Sequence, residues 1–294
     1  MLLNRRTVVK SVLGGAVSAV AAAATYGVAY ERHRLGTTEA VLPVSSLPAA
    51  LRGLRIALLT DIHHSALVGA DDVRAAVDLA LSLKPDLIVL GGDYVTFGDR
   101  NFVGPVAELL SPLTAPHGVV AILGNHDDDR DMPAALAQHG FTVLKDQTTS
   151  LNVRGEKLEL AGIRFWTRRL SELQWVLRKT RDTDTVLLLA HDPRRLTEAA
   201  TLKIPAVLSG HTHGGQVVMP GVGALYKTRF PVLQGLGQRA LTSIFVSRGI
   251  GTVYVPVRIN CPPEVALITL DRAAAKSVIN ARNDGRQSSS GDPV

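Results

Sequence analysis

From Arg55 onward the chain alternates short apolar runs with longer segments of helical period. RIALL (55–59), DLIVL (86–90) and GVVAIL (118–123) are runs of strand length, and TVLLLA (185–190) and PAVLS (205–209) follow the same pattern. Between them ADDVRAAVDLALSLK (70–84) repeats its apolar positions at the spacing of a helix started by Asp71 or Asp72. MPAALAQHG (132–140) predicts a second helix, ending at Gly140. Continuous apolar strands joined by helices indicate parallel strands covered on both faces. TSLNVRGEKLELAGIRF (149–165) predicts a hairpin around Gly155, and SIFVS (243–247), TVYVPV (252–257) and EVALITL (264–270) predict a strand-rich C-terminal part. The expected architecture is α/β: two stacked sheets flanked by helices.

The ends of the chain read differently. NRRTVVK (4–10) is a basic head, and SVLGGAVSAVAAAATYGVAY (11–30) is uncharged and rich in Ala and Gly. That pattern predicts an export signal, and the paired Arg5-Arg6 points to the twin-arginine machinery. Roughly 19 uncharged residues are also just enough to span a bilayer. Residues 1–30 are therefore a twin-arginine signal peptide, cleavable near Ala22–Ala24 or Ala29, or an N-terminal membrane anchor. With Arg5, Arg6 and Lys10 held inside, the rest faces the periplasm or the outer face of the cytoplasmic membrane in either case. Residues 31–54, with two prolines in TTEAVLPVSSLPAALRG and no sustained period, read as a linker. Residues 55–270 form the expected domain, and 271–294 a polar tail with no core to bury.

Composition narrows the class. At 46% hydrophobic and 20% charged residues, the chain can bury a substantial core. A net charge of +6 would suit nucleic acid, but the basic residues are scattered and aromatics are few, which argues against such a partner. The single cysteine, Cys261, excludes an intramolecular disulfide and reads as a small buried hydrophobe.

Candidate chemistry gathers where strands end. LLTDIHH, LGGDY, LGNHDD, LLAHDP and LSGHTHGG each follow an apolar run with Asp, Asn or His. Ligands in α/β sheets bind beyond the carboxyl ends of strands. Asp and Asn are ordinary turn residues, yet five such endings together supply the N and O ligands that divalent metals select. Residues two apart in an extended segment share a face, so Asp61 and His63 can converge on one ion. His211 and His213 can reach two neighbouring ions. The glycines around them let the backbone turn beside the ions.

These blocks, D-x-H, G-D, G-N-H-D, H and G-H-x-H in order from Asp61 to His213, resemble the calcineurin-like metallophosphoesterases. GHTHGGQV and RINCPPEVALITL are similar to that family's exported bacterial, YaeI/YkuE-like branch. The resemblance implies a four-layer α/β/β/α sandwich of two mixed sheets. It assigns Asp61, His63, Asp93 and His213 to a first metal, with Asp93 bridging to a second completed by Asn125, His191 and His211. His126 would act near the leaving group, oriented by Asp127. The implied cofactors are two divalent ions (manganese, zinc or iron), and the implied activity is hydrolysis of a phosphodiester or pyrophosphate by a metal-bridging hydroxide. A lipid-linked or cell-envelope substrate suits a membrane-proximal enzyme.

Charge supports phosphate chemistry independently, since two dications against only Asp61 and Asp93 leave a net positive cluster. A nuclease of the same superfamily would need a basic groove. A non-catalytic metal-binding scaffold sits poorly with an intact ligand set. His64 has a weaker claim to substrate, because neighbours in an extended segment face opposite ways. His33, His117 and His139 read as structural or solvated. YKTRF (226–230) is a candidate substrate lip, and Arg248 and Arg258 either contact phosphate or pair with carboxylates.

Overall fold

The computed structural model describes residues 4–181, 183–225 and 229–273. One six-stranded sheet takes β1 (Gly36–Val44), β2 (Arg55–Leu59), β3 (Leu87–Leu90), β4 (Val119–Ala121), β5 (Thr142–Val143) and the late β14 (Glu264–Arg272). Their spatial order is β1-β14-β2-β3-β4-β5. The second holds β6 (Gln147–Val153), β7 (Glu156–Ile163), β8 (Thr185–Ala190), β9 (Ala206–Ser209), β12 (Gly235–Arg239) and β13 (Thr242–Val246). Its order is β12-β13-β9-β8-β7-β6. A short hairpin of β10 (Val218–Met219) and β11 (Gly223–Ala224) stands beside them. Six α-helices accompany the sheets: α1 (Arg5–Ala29), α2 (Ala70–Ser82), α3 (Val103–Leu110), α4 (Asp131–Gln138), α5 (Leu170–Val176) and α6 (Leu196–Thr201).

Alternation along each strand decides which layer a residue serves. Ile56 and Leu58 of β2 join Leu160, Leu187, Leu189 and Leu208 in the core between the sheets. Ala57 and Leu59 turn outward to Val73, Val106 and Leu136 of α2, α3 and α4. On the other outer face, Leu188 and Val207 meet Leu173 of α5 and Leu196 of α6. The layers are therefore α/β/β/α. Each fully buried Leu or Ile contributes about 1.5–3 kcal/mol. Both sheets are mixed, because β14 runs antiparallel to β2, β12 to β13 and β6 to β7.

Three expectations change. Residues 36–44, within the expected linker, form β1, paired in parallel with β14 along its whole length. β1 is an edge strand with a mostly exposed pattern, so it lacks an apolar run, and an edge tolerates Pro43. TVYVPV forms no strand: Tyr254 has φ of 62°, and the side chain of Gln216 binds the carbonyls of Val253 and Val255 in place of a neighbouring strand. Asp72 is not the helix cap but the third residue of α2, its carboxylate accepting from the Gly69 N–H. Most of the expected tail, 274–294, and Tyr226, Lys227 and Thr228 of the candidate lip lie outside the described residues.

α1 stands outside the layers, but its last turn is docked. The Arg258 N–H donates to the Gly27 carbonyl at 3.2 Å. A β-carbon on Gly27 would lie 2.7 Å from the Arg258 carbonyl oxygen, so the close approach requires glycine. Gly27→Leu should therefore overpack this contact by about 1–3 kcal/mol, lowering Tm by roughly 3–8 °C. Gly14→Leu, which meets only open space, should leave Tm unchanged. Thermal unfolding of both variants in detergent checks the docking; equal Tm values would refute it.

Candidate metal centre

β2, β3 and β4 of the first sheet and β8 and β9 of the second bring their carboxyl ends to one place, and the seven candidate ligands lie there. The turns are not extended, as the i, i+2 spacing implied. Asp61, His63, Asp93, His211 and His213 have φ of 53°, 51°, 56°, 72° and 50°. A left-handed residue other than glycine costs on the order of 1 kcal/mol or more, and such residues cluster at functional sites. Backbone bonds between loops hold the strain: Asp61 N–H to Gly92 O at 2.9 Å, and His63 N–H to Asp93 O at 3.0 Å. The His211 N–H reaches both carboxylate oxygens of Asp61 at 3.0 Å, joining the two sheets.

Asp93 is central. Its Oδ2 lies 3.0 Å from His191 Nε2 and 3.6 Å from His63 Nε2. Asp61 Oδ1 lies 3.5 Å from His213 Nε2 and 3.8 Å from His191 Nε2. Donor atoms of Asp61, His63 and His213 fall within 4.8 Å of one another, as do those of Asp93, His191 and His211. Asn125 lines the same pocket.

The residues fit a pair of divalent cations. His63 Nε2 and His213 Nε2 face each other at 3.2 Å, so one ring must turn its hydrogen to the other unless a cation takes both lone pairs. Asn125 Oδ1, His191 Nε2 and His213 Nδ1 are buried without a hydrogen-bond partner, although His191 Nε2 lies 3.0 Å from Asp93 Oδ2. Such atoms cost about 1–3 kcal/mol each when unsatisfied. Burial pushes His63 and His211 down to about 4 and His213 well below its usual range, leaving the neutral, ligating form. Burial pushes Asp61 up to about 6. For Asp93 and His191 burial opposes charge, but their mutual attraction wins: Asp93 stays well below the carboxylate range and His191 rises to about 10. A cation between them would displace that proton.

His126, 8% exposed, anchors through its N–H to Asp93 Oδ1 at 2.8 Å. Its ring Nδ1 accepts the Phe97 N–H at 2.9 Å, which places the hydrogen of the neutral ring on Nε2. Burial lowers its pKa in the same direction. Asp127 does not orient this ring, contrary to expectation. Its carboxylate accepts from the N–H groups of Asp93 at 2.7 Å, Tyr94 at 2.8 Å and Gly124 at 2.8 Å. Those amides have no strand partner, so the carboxylate braces the loops beneath Asp93 instead. The orienting donor, Phe97, left no trace in the sequence because a backbone amide has no side-chain signature.

Neither Arg248 nor Arg258 faces a phosphate site. Arg258 is fully buried and donates to the carbonyls of Arg248, Gly249, Gly251 and Cys261. Arg248 pairs with Glu264 at 2.6 Å. His64 is buried with Nδ1 at 2.9 Å from the Val68 carbonyl, and His33 and His139 bind Asp72 and Glu108 at the surface. Cys261 is buried as expected. The basic residues at the site are Arg194 and Arg229, which line a pocket of about 820 Å³ with Asp93, Asn125, His126, His211 and His213. Arg194 is held by Asp192 at 2.8 Å and lies over the Phe230 ring. Sequence reasoning missed it, although it stands only two residues after Asp192.

Comparison with known proteins agrees with this geometry. The sequence model of the family described as calcineurin-like phosphoesterase matches residues 54–215. The uncharacterized metallophosphoesterase YkuE of Bacillus subtilis is 31% identical over 280 residues, 91% of this chain and 98% of that protein. Phosphodiesterase YaeI of Escherichia coli is 32% identical over 228 residues, 74% of this chain and 82% of that one. A Danio rerio transmembrane protein with metallophosphoesterase domain is 29% identical over 268 residues, 85% of this chain and 60% of its own length. The chain belongs to the calcineurin-like phosphoesterase family, in the branch of YkuE and YaeI, and is a metal-dependent phosphoric ester hydrolase.

Proposed function

We propose that this chain is an exported dinuclear phosphodiesterase. Asp61, His63, Asp93 and His213 would hold one divalent cation, and Asp93, Asn125, His191 and His211 a second. The shared position of Asp93 between the two imidazole groups carries this assignment. Manganese, zinc and iron all suit such N and O ligands. Bound there, the ions would neutralise phosphate charge and supply an acidified water.

The chain's own groups do the positioning. Asp127 fixes the loop that presents Asp93. Arg194, held by Asp192, faces the pocket as an anion contact. His126, with its hydrogen on Nε2, donates a hydrogen bond to the leaving oxygen. Leu225, Val253 and Val255 give one wall of the pocket an apolar face, which supports a lipid-linked or cell-envelope phosphodiester or pyrophosphate as substrate. Arg5 and Arg6, exposed at the start of α1, support twin-arginine export to the periplasm or the outer face of the cytoplasmic membrane. The name of the Danio rerio relative supports a membrane setting. A panel of monoesters, diesters and lipid-linked pyrophosphates on the metal-loaded enzyme tests the substrate class; turnover of monoesters alone would reject a diesterase.

Chelation should abolish activity, and manganese or zinc should restore it. Asp93→Ala should lose both ions by elemental analysis and more than about 10²-fold in activity, exceeding the usual effect of residues beyond the ligands. One bound ion with full activity in that variant would refute the shared ligand.

His126→Ala should keep both ions yet lose roughly 10²–10³-fold in turnover on an alkyl diester, as for removal of a preorganised donor. On a nitrophenyl diester, whose leaving oxygen needs little help, the loss should be much smaller. Equal losses would assign His126 to a phosphoryl oxygen instead.

Replacing Arg5-Arg6 with Lys-Lys should leave active protein in the cytoplasm, measured by fractionation. Unchanged export would mean another route reads this N-terminus.

A further inference from the structure

α1 joins the molecule at the face that carries the metal centre. Beyond the bond from Arg258 to Gly27, Glu31 is only 2% exposed and accepts the Cys261 N–H at 2.8 Å. Cys261 in turn reaches the carbonyl of the candidate ligand His213 through its thiol at 3.2 Å. The turn that follows α1 is thus two contacts from a candidate metal ligand. Cleavage after Ala29 would strip Gly27 from its partner.

The rest of α1 has no protein partner among the described residues. Val12, Leu13, Val17 and Val20 are 60–70% exposed. Its 25 residues span about 37 Å at the helical rise, against a hydrocarbon core of about 30 Å. A helix this apolar on all sides needs lipid.

A second apolar surface adjoins its docked end. Met219, Val222, Leu225, Tyr254 and Val255 are 40–73% exposed, and the last three border or line the metal pocket. Gln216 binds the Val255 carbonyl, the Val218 N–H binds Ile259, and Asn260 binds the Val218 carbonyl. Ile259 and Val257 are the residues against which Gly27 is pressed. The rim and the end of α1 are therefore one continuous surface, and the helix that leaves it identifies what covers it.

We propose that α1 is kept as a membrane anchor and that the rim of Met219, Val222, Leu225, Tyr254 and Val255 rests in the lipid interface beside it, so that the metal pocket opens at the membrane surface. Arg32 and Arg34, just beyond the helix, then lie at the level of the headgroups, where their cations meet lipid phosphate. Tyr254 sits where amphipathic aromatic rings settle in bilayers. This placement does not depend on which phosphoester is cleaved.

The test uses the full chain, with a fluorophore on Val255→Cys or on Leu241→Cys, in vesicles whose acyl chains carry bromine as quencher. Leu241 is 69% exposed but precedes β13, at the end away from the site. The buried Cys261 is protected from labelling. The Val255 label should lose at least half its emission and the Leu241 label almost none. No quenching at Val255, as when a protein partner covers the rim, or equal quenching at both positions overturns the proposal. Intact mass of the chain from its native membrane should include residues ahead of Ala22. An active, released form cut between Ala22 and Tyr30 also overturns it. Failure of every lipid-linked substrate in the kinetic panel would reject the substrate proposal while leaving this placement standing, so the two fail separately.

Discussion

Two buried carboxylates and five imidazoles share the few ångströms where the two sheets meet, and no arrangement of protons satisfies them all. Asp61 and Asp93 are essentially unexposed, as are His63 and His191. Burial drives each toward neutrality, and the attraction between Asp93 and His191 is what overcomes it at those two residues. Three polar atoms are left without partners in the same space. Divalent cations would resolve the conflict, because they accept the lone pairs of neutral imidazoles and the charge of carboxylates together. The surrounding fold is arranged to hold this otherwise unfavourable cluster in place.

It does so with braces that never touch the cluster's donor atoms. Asp127 collects three backbone amides from two loops, and Arg258 collects carbonyls from the segment behind Asp61. A buried charge is tolerated only when its hydrogen-bonding capacity is met, and Arg258, fully buried, meets its own on backbone carbonyls. The result is five left-handed non-glycine candidate ligands held so that they converge. The buried Arg258 cation also helps keep His63 and His213 neutral. Gly124 belongs to the same scheme, since a β-carbon there would collide with the Asp93 carboxylate.

The same Arg258 segment ties the site to α1. One face of the domain carries the candidate metal ligands, the apolar rim and the base of the only helix among those described that is long and apolar enough to cross a membrane. Residues 248–261 join these features: Arg258 binds Gly27 of α1, Cys261 reaches the His213 carbonyl, and Tyr254 and Val255 line the pocket.

Much was legible beforehand. Apolar runs such as RIALL and TVLLLA must be buried on both faces, so the stacked α/β layers follow from periodicity, and the ligand residues stand out because Asp, Asn and His recur where those runs stop. The remainder was decided by contacts distant in sequence. β1 looked like linker because an edge strand needs no apolar run and is specified by its partner, β14, more than two hundred residues away. TVYVPV has strand composition but lost to the side chain of Gln216, which binds the backbone of Val253 and Val255. Asp127, Arg258 and the amide of Phe97 took roles that no motif reveals, because hydrogen bonds to backbone depend on where the chain passes rather than on which residue it carries there. Residue types determined which chemistry was available; only the tertiary structure decided which groups meet the cluster and which hold it in place.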